Sequence, residues 1–131
     1  MSYRVERLPD EPILVLRTGA EFSIKNDVLA SAEEAMKLMA EIPEGLIYYV
    51  LDMCDLRVNF SELVSGLWQA TRATNLLKEP RLRLVAVGSG ALIELGAKAF
   101  SQAQYGGLSV PLFETMDEAL AYIRQEISGQ P

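Results

Sequence analysis

The side chains best placed for chemistry are two carboxylates and a serine that follow a single apolar strand. Residues 46–51 are predicted to form this strand, which runs directly into Asp52 and Asp55. A short turn then leads into a helix whose first turn carries Ser61. In open α/β sheets, binding sites form where the carboxyl ends of the strands meet the amino ends of helices. We therefore expect the functional site at this edge of the sheet.

The two acids allow two interpretations. As a pair, Asp52 and Asp55 could bind Mg²⁺ or act in acid–base catalysis. Alternatively, they are turn and cap carboxylates that accept hydrogen bonds from backbone amides. A response-regulator receiver would also need a lysine after its last strand, and no lysine follows Lys98. We therefore favour the structural interpretation and predict neither a metal site nor a cofactor.

Ser61 is a candidate for phosphorylation. Asn59 can cap the helix while Glu62 returns the hydrogen bond, which is the capping-box pattern. This places Ser61 at the second helical position, where free amide groups and the helix dipole would favour a phosphate. The alternative is an ordinary polar residue in a first helical turn.

A glycine-containing turn before the third helix is a second candidate contact. Residues 88–90 read Gly-Ser-Gly, and such a turn could bind an anion through Ser89 and the helix amino end. The dinucleotide-binding motif needs a glycine where Ile93 stands, so the fit to that motif is poor. The alternative is a sharp turn whose backbone angles need glycine.

Composition excludes several classes of function. The chain has 131 residues, a net charge of −6 and no histidine, which removes the commonest general base and metal ligand. Cys54 is the single cysteine, so no intrachain disulfide forms, and the neighbouring acids predict an unreactive thiol. Scattered basic residues argue against nucleic acid as a partner. Without a disulfide framework, an apolar leader or a membrane-spanning run, a cytoplasmic protein is expected.

The pattern of strands and helices predicts a single α/β domain over residues 1–131. An antiparallel hairpin precedes alternating strands and helices in the order β-β-α-β-α-β-α-β-α, which implies a mixed, mostly parallel sheet of about five strands with four helices. The strands are predicted at residues 3–8, 13–16, 46–51, 82–87 and 110–113. Pro111 predicts that the last of them lies at the edge of the sheet.

The spacing of apolar residues predicts the first two helices. In the first helix, residues 24–41, apolar positions recur at Val28, Leu29, Ala32, Met36 and Met39. In the second helix, one stripe carries Phe60, Leu63, Val64, Leu67 and Thr71.

Aromatic residues form a further candidate set. They could line an apolar pocket, with simple core packing as the alternative; they are Phe60, Trp68, Phe100, Tyr105 and Phe113. An exposed Trp68 would suit the interface of a dimer. An apolar cavity between the sheet and the second and third helices would indicate a carrier, whereas a solid core would indicate surface contact with a protein.

Three segments resemble the STAS domain, the fold of the SpoIIAA-like antagonists of anti-sigma factors. They are residues 50–56 (VLDMCDL), 84–88 (LVAVG) and 110–120 (VPLFETMDEAL). The resemblance implies the same fold over nearly the whole chain. A comparison without gaps also puts Ser61 at the position that a partner kinase phosphorylates in the classical antagonists.

The surroundings of Ser61 depart from the classical motif. Phe60 replaces its acid, Glu62 its second hydroxyl residue and Leu63 its glycine. The chain is more similar to a divergent branch of stand-alone bacterial proteins. That resemblance implies a homodimer and the binding of nonpolar ligands.

These observations lead to one main prediction and two alternatives. We expect a bacterial, cytoplasmic, non-enzymatic binding module, a homodimer that acts through contact with a protein partner or a small nonpolar ligand. The alternatives are a regulatory phosphoswitch at Ser61 and a small enzyme that uses Asp52 or Asp55. The residues predicted to contact a partner or ligand are Asp52, Asp55, Asn59, Phe60, Glu62, Leu63 and Ser89.

Overall fold

The computed structural model describes residues 2–72, 75–102 and 109–129. The strands are β1 (Tyr3–Arg7), β2 (Ile13–Thr18), β3 (Ile47–Asp52), β4 (Leu82–Val87) and β5 (Leu112–Phe113). The helices are α1 (Ile24–Met39), α2 (Phe60–Arg72), α3 (Ala91–Ala99) and α4 (Met116–Ser128), with a 3₁₀ turn at Leu76–Lys78. The predicted element order and fold class are confirmed over these residues. In this part of the chain, no helix combines the length and the apolar character that a membrane span requires.

The strands form one sheet in the order β1-β2-β3-β4-β5. β1 pairs antiparallel with β2, as predicted, and the other three pairs are parallel. The short strand β5 lies at the edge that Pro111 predicted, since a proline cannot donate a hydrogen bond within a central strand. β3 is central, and its last residue, Asp52, lies level with Arg17 of β2 and Val87 of β4.

Alternate residues of the central strands supply two separate hydrophobic clusters, one on each face of the sheet. One face carries Leu14, Leu16, Tyr49, Leu82 and Leu84. The opposite face carries Ile13, Val15, Tyr48, Val50, Val85 and Val87. Both faces are covered by helices, which is why β3 is a continuous apolar run with no polar residue before Asp52.

The sequential strand order places the crossover helices on a single face. Right-handed connections between parallel strands that follow one another in the sheet return on the same side. Accordingly, α1, α2 and the end of α3 share one cluster, and α4 alone packs on the other. Because the strand order never reverses within the parallel part, the crevice that such a reversal creates is absent from the described sheet. The space for a site lies between the layer of three helices and the sheet.

The buried face of α1 differs from the predicted stripe. Ala32 and Met39 are buried, whereas Leu29 and Met36 are 37% and 40% exposed. The helix presents mostly small side chains to the sheet, its buried residues being Ser31, Ala32, Ala35 and Met39. The predicted helix is therefore confirmed, and its buried face is narrower than the apolar stripe.

Candidate functional site

Asp52 joins two strands and the turn that follows them. Its Oδ1 accepts a hydrogen bond from the backbone amide of Cys54 at 3.2 Å, and its Oδ2 accepts one from Arg17 Nη1 at 3.3 Å. The hydroxyl of Thr18 donates to the Asp52 carbonyl oxygen at 2.9 Å. These contacts hold the carboxyl end of β3 against β2. They correspond to the structural interpretation of Asp52.

The neighbouring turn carries an exposed cysteine between acids. Desolvation, together with the Asp52 and Asp55 carboxylates, raises the pKa of the Cys54 thiol. The direction agrees with the sequence prediction, although the side chain is exposed at the surface. Asp55 is also exposed, and within the described ranges no cluster of three or more acidic, cysteine or histidine residues is suited to a metal ion.

The start of α2 is a reciprocal capping box. The Glu62 amide donates to Asn59 Oδ1 at 2.8 Å, and the Asn59 amide donates to Glu62 Oε1 at 3.0 Å. Ser61 consequently lies at the second helical position, as predicted, with its side chain exposed. Its phosphorylation stays a prediction.

The turn before α3 has the backbone geometry of glycine. Gly90 caps the helix with a φ of 102°, and a Cβ at Gly88 would lie 3.2 Å from Ile93 Cγ2. Both constraints favour glycine and account for the sequence of the turn without a bound anion. Ser89 is exposed between them.

An apolar cavity of about 140 Å³ lies between the sheet and helices α1 and α2. The sheet contributes Leu16, Thr18, Tyr49, Leu51 and Leu84. The loop after β3 adds Met53, Leu56 and Val58 near the carboxyl edge of the strands, and Phe100 adds a ring after the end of α3. The sequence analysis distinguished a carrier from a solid core by the space between the sheet and the second and third helices, and the cavity lies between the sheet and the first and second.

One face of α2 lines this cavity with a regular stripe. Leu63, Gly66, Leu67 and Ala70 recur at the three- and four-residue spacing of a single helix face. Gly66 lets the helix approach α1, because a Cβ there would lie 3.3 Å from Ile24 Cδ1. α2 therefore lies close to α1, while its small residues Gly66 and Ala70 leave space between this helix and the sheet.

Few of the residues predicted from sequence take part in the cavity. Among the predicted contact residues, only Leu63 lines it, and the others lie outside its lining. Phe60 is the first residue of α2 and is 60% exposed, and it does not line the cavity. Its contact with a partner or ligand stays a prediction.

The aromatic set separates in the same way. Phe100 lines the cavity, whereas Phe113 packs against Tyr122 of α4, with ring centroids 5.2 Å apart, on the opposite side of the sheet. Trp68 is 55% exposed on α2. Tyr105 lies outside the described residues.

Some lining residues lie outside the site that the sequence predicted. They include Val28, Gly66 and Ala70. A glycine and an alanine four residues apart in the middle of an amphipathic helix were a usable signal, because glycine lowers helix stability unless close packing needs it.

Comparisons with known proteins support the fold. No protein-family model matches the sequence, and no curated protein matches it. Among solved structures, the chain is similar to an uncharacterized protein of the DUF3478 family with a SpoIIAA-like fold from Shewanella loihica PV-4. The TM-score is 0.58 at 17% sequence identity, and the similarity covers 92% of this chain and 90% of that chain. The SpoIIAA-like fold inferred from the three sequence segments is thereby confirmed.

Proposed function

We propose that this protein is a non-enzymatic binding module whose ligand is a small nonpolar molecule held between α1, α2 and the sheet. The observation that carries the proposal is the apolar cavity of about 140 Å³, which is partly open to the surface. Its lining is almost wholly apolar, so it offers water few hydrogen-bond partners. An apolar solute is the occupant that such a space favours.

The size of the cavity limits the ligand. An engineered apolar cavity of about 150 Å³ binds benzene, whereas sites for drug-sized molecules span roughly 300–1,000 Å³. With about 140 Å³, this protein matches the first class. The ligand is therefore a single aromatic ring or a short branched hydrocarbon group, and a long acyl chain exceeds the space.

Direct binding of benzene or toluene tests the proposal. A ligand that binds the folded state alone adds about 2.7 kcal/mol to the free energy of unfolding when its free concentration is 100 times its Kd. We expect a dose-dependent rise in the unfolding temperature by calorimetry. Palmitate, which is far larger than the cavity, serves as the comparison and should leave the transition unchanged. A benzene titration without any shift, up to saturation in water, would refute the proposal.

Contact with a second protein copy is the other candidate function. Phe60, Val64 and Trp68 follow one another at four-residue spacing on α2, and we call this set the α2 ridge. Phe60 and Trp68 are 60% and 55% exposed, values that are high for large hydrophobic side chains. Exposed aromatic residues of this kind are enriched in protein interfaces.

Sedimentation velocity tests the role of the α2 ridge. We expect the parent protein to sediment as a dimer and Trp68→Ser to sediment as a monomer, because removing a large aromatic ring from an interface core weakens it strongly. Leu29→Ser is the matched control, since Leu29 is an exposed apolar residue on a different helix. A parent protein that is monomeric at every concentration excludes this second function.

The α2 ridge would also give the Ser61 phosphoswitch a physical basis. Ser61 is exposed and adjacent to Phe60, at the start of the ridge. A phosphate adds about two negative charges there and opposes docking of any apolar surface on the ridge. Intact-mass spectrometry of the protein taken from its native cell would detect the modification, and its absence across growth states would reject this role.

A further inference from the structure

Tyr49 occupies the centre of the sheet on the side of the cavity. It lies between Leu14 of β2 and Leu84 of β4, and it is 2% exposed. The small residues Ala32 and Ala35 of α1 belong to the same hydrophobic cluster and leave room for its ring. Tyr49 is also one of the residues that line the cavity.

The hydroxyl of Tyr49 has no hydrogen-bond partner in the described part of the chain. Every fully enclosed side-chain nitrogen or oxygen there does have a partner, so the Tyr49 hydroxyl is not enclosed and borders open space. Buried tyrosine hydroxyls normally find a partner, because an unpaired polar group in an apolar environment is costly. Tyr49 lines the cavity and is almost wholly buried, so we take the cavity to be the open space that its hydroxyl borders.

The other hydroxyl groups of the cavity already donate within the protein. Thr18 donates to the Asp52 carbonyl oxygen at 2.9 Å, and Ser31 donates to the Val28 carbonyl oxygen at 3.0 Å. Burial raises the pKa of Tyr49, and Glu34 raises it further, so the phenol keeps its proton at neutral pH. Among the described hydroxyl groups that line the cavity, that of Tyr49 is therefore the one left to donate a hydrogen bond to a ligand.

From this arrangement we infer that the ligand carries, besides its apolar body, one uncharged hydrogen-bond acceptor such as a carbonyl oxygen, which the Tyr49 hydroxyl binds. The inference rests on the proposed ligand-binding function and narrows its ligand class. A carboxylate fits poorly, because no charged side chain belongs to the described lining and the chain carries a net charge of −6. Burying an unpaired carboxylate is far more costly than burying a carbonyl group.

Three probes of nearly the same size separate these possibilities. They are α-methylstyrene, which has no acceptor, acetophenone, which replaces its methylene group by a carbonyl oxygen, and benzoate, which is charged. We expect the parent protein to bind acetophenone about fivefold to tenfold more tightly than α-methylstyrene, the gain of one well-made hydrogen bond. Benzoate should bind at least about tenfold more weakly than acetophenone.

Two tyrosine variants test whether the gain in affinity for acetophenone comes from Tyr49. In Tyr49→Phe, the affinity ratio of acetophenone to α-methylstyrene should fall to about one, while the hydrocarbon keeps its affinity. Tyr48→Phe is the matched control, because Tyr48 is the adjacent buried tyrosine on the opposite face of the sheet. It should leave the ratio at the parent value.

The outcomes distinguish this inference from the function on which it rests. If neither α-methylstyrene nor acetophenone binds the parent protein, the ligand-binding function itself fails. If both bind with equal affinity, or if the ratio survives in Tyr49→Phe, the function stands and the role of Tyr49 is refuted. Benzoate binding as tightly as acetophenone would overturn the requirement for an uncharged acceptor. The affinity ratio in the parent protein needs no variant and stays decisive even if Tyr49→Phe is poorly folded.

Discussion

Replacing Ala70 by leucine will strongly weaken the binding of benzene while leaving the fold intact. Ala70 lies on the α2 stripe that lines the cavity, so a longer side chain extends into the space that the ligand would occupy. We expect the affinity to fall by at least about tenfold, or 1.4 kcal/mol. The free energy of unfolding should stay within about 1 to 2 kcal/mol of the parent value, because the added carbons enter empty space rather than a packed core.

Isothermal titration calorimetry with benzene measures the first effect, and urea unfolding measures the second. Ser65→Leu is the matched control, since it adds the same side chain to an exposed position of the same helix. It should leave the affinity unchanged. Benzene bound by Ala70→Leu as tightly as by the parent protein would place the ligand elsewhere and remove the main support for the proposed site.

Replacing Leu67 by alanine should have the opposite effect on the ligand and a large effect on stability. Leu67 is 6% exposed, lines the cavity and belongs to the main hydrophobic cluster. Deleting a buried leucine side chain costs about 2 to 5 kcal/mol, with the larger values where the remaining cavity cannot collapse. Because an empty space already adjoins this position, we expect a loss in the upper part of that range. The enlarged cavity should then accept bulkier alkylbenzenes than the parent protein binds.

Chemical denaturation of Leu67→Ala, alone and with excess butylbenzene, measures both effects. The ligand should restore part of the lost stability in the variant and much less in the parent protein. Leu95→Ala is the control, since Leu95 is 45% exposed on α3 and its truncation should cost less than about 1 kcal/mol. A Leu67→Ala protein as stable as Leu95→Ala would mean that α2 does not pack on the sheet at this position.

The two variants of α2 depend on one structural feature, the close seating of this helix. Gly66 allows contact with Ile24 of α1, and Gly96 of α3 has Leu63 within 3.1 Å of the position of an added Cβ. α2 therefore packs closely against α1 at Gly66 and against α3 at Gly96, since glycine has no side chain to keep the helices apart. The cavity lies beneath this helix, beside its small residues Gly66 and Ala70.

Much of the fold could be predicted from local patterns. The capping box at Asn59 and Glu62 formed as expected, because it involves residues three positions apart in one helical turn. The continuous apolar run of β3 correctly indicated a central strand covered on both faces. Pro111 correctly indicated the edge of the sheet. Each of these signals depends on short-range sterics or hydrogen bonding, which the sequence carries directly.

The residues that line the cavity were much harder to predict. The prediction relied on polar residues at the strand ends. In the structure, Asp52 accepts hydrogen bonds from Arg17 and a backbone amide, and Asn59 and Glu62 form a reciprocal capping box. Phe60, which was also predicted to contact a partner or ligand, is exposed at the start of α2 and does not line the cavity. The polar residue types that carried the prediction therefore did not indicate the cavity, whose lining is mostly apolar.

The sequence by itself determined the order of strands and helices, the helix caps and the apolar character of the central strands. Each of these depends on interactions between near neighbours in the chain. Only the tertiary structure decided that Leu63, Gly66, Leu67 and Ala70 lie over an unfilled volume and that the Tyr49 hydroxyl has no hydrogen-bond partner among the described residues. A cavity is the space left between the surfaces of segments that are distant in the sequence. Its existence therefore depends on how closely α1, α2 and the sheet approach one another, which no single segment specifies.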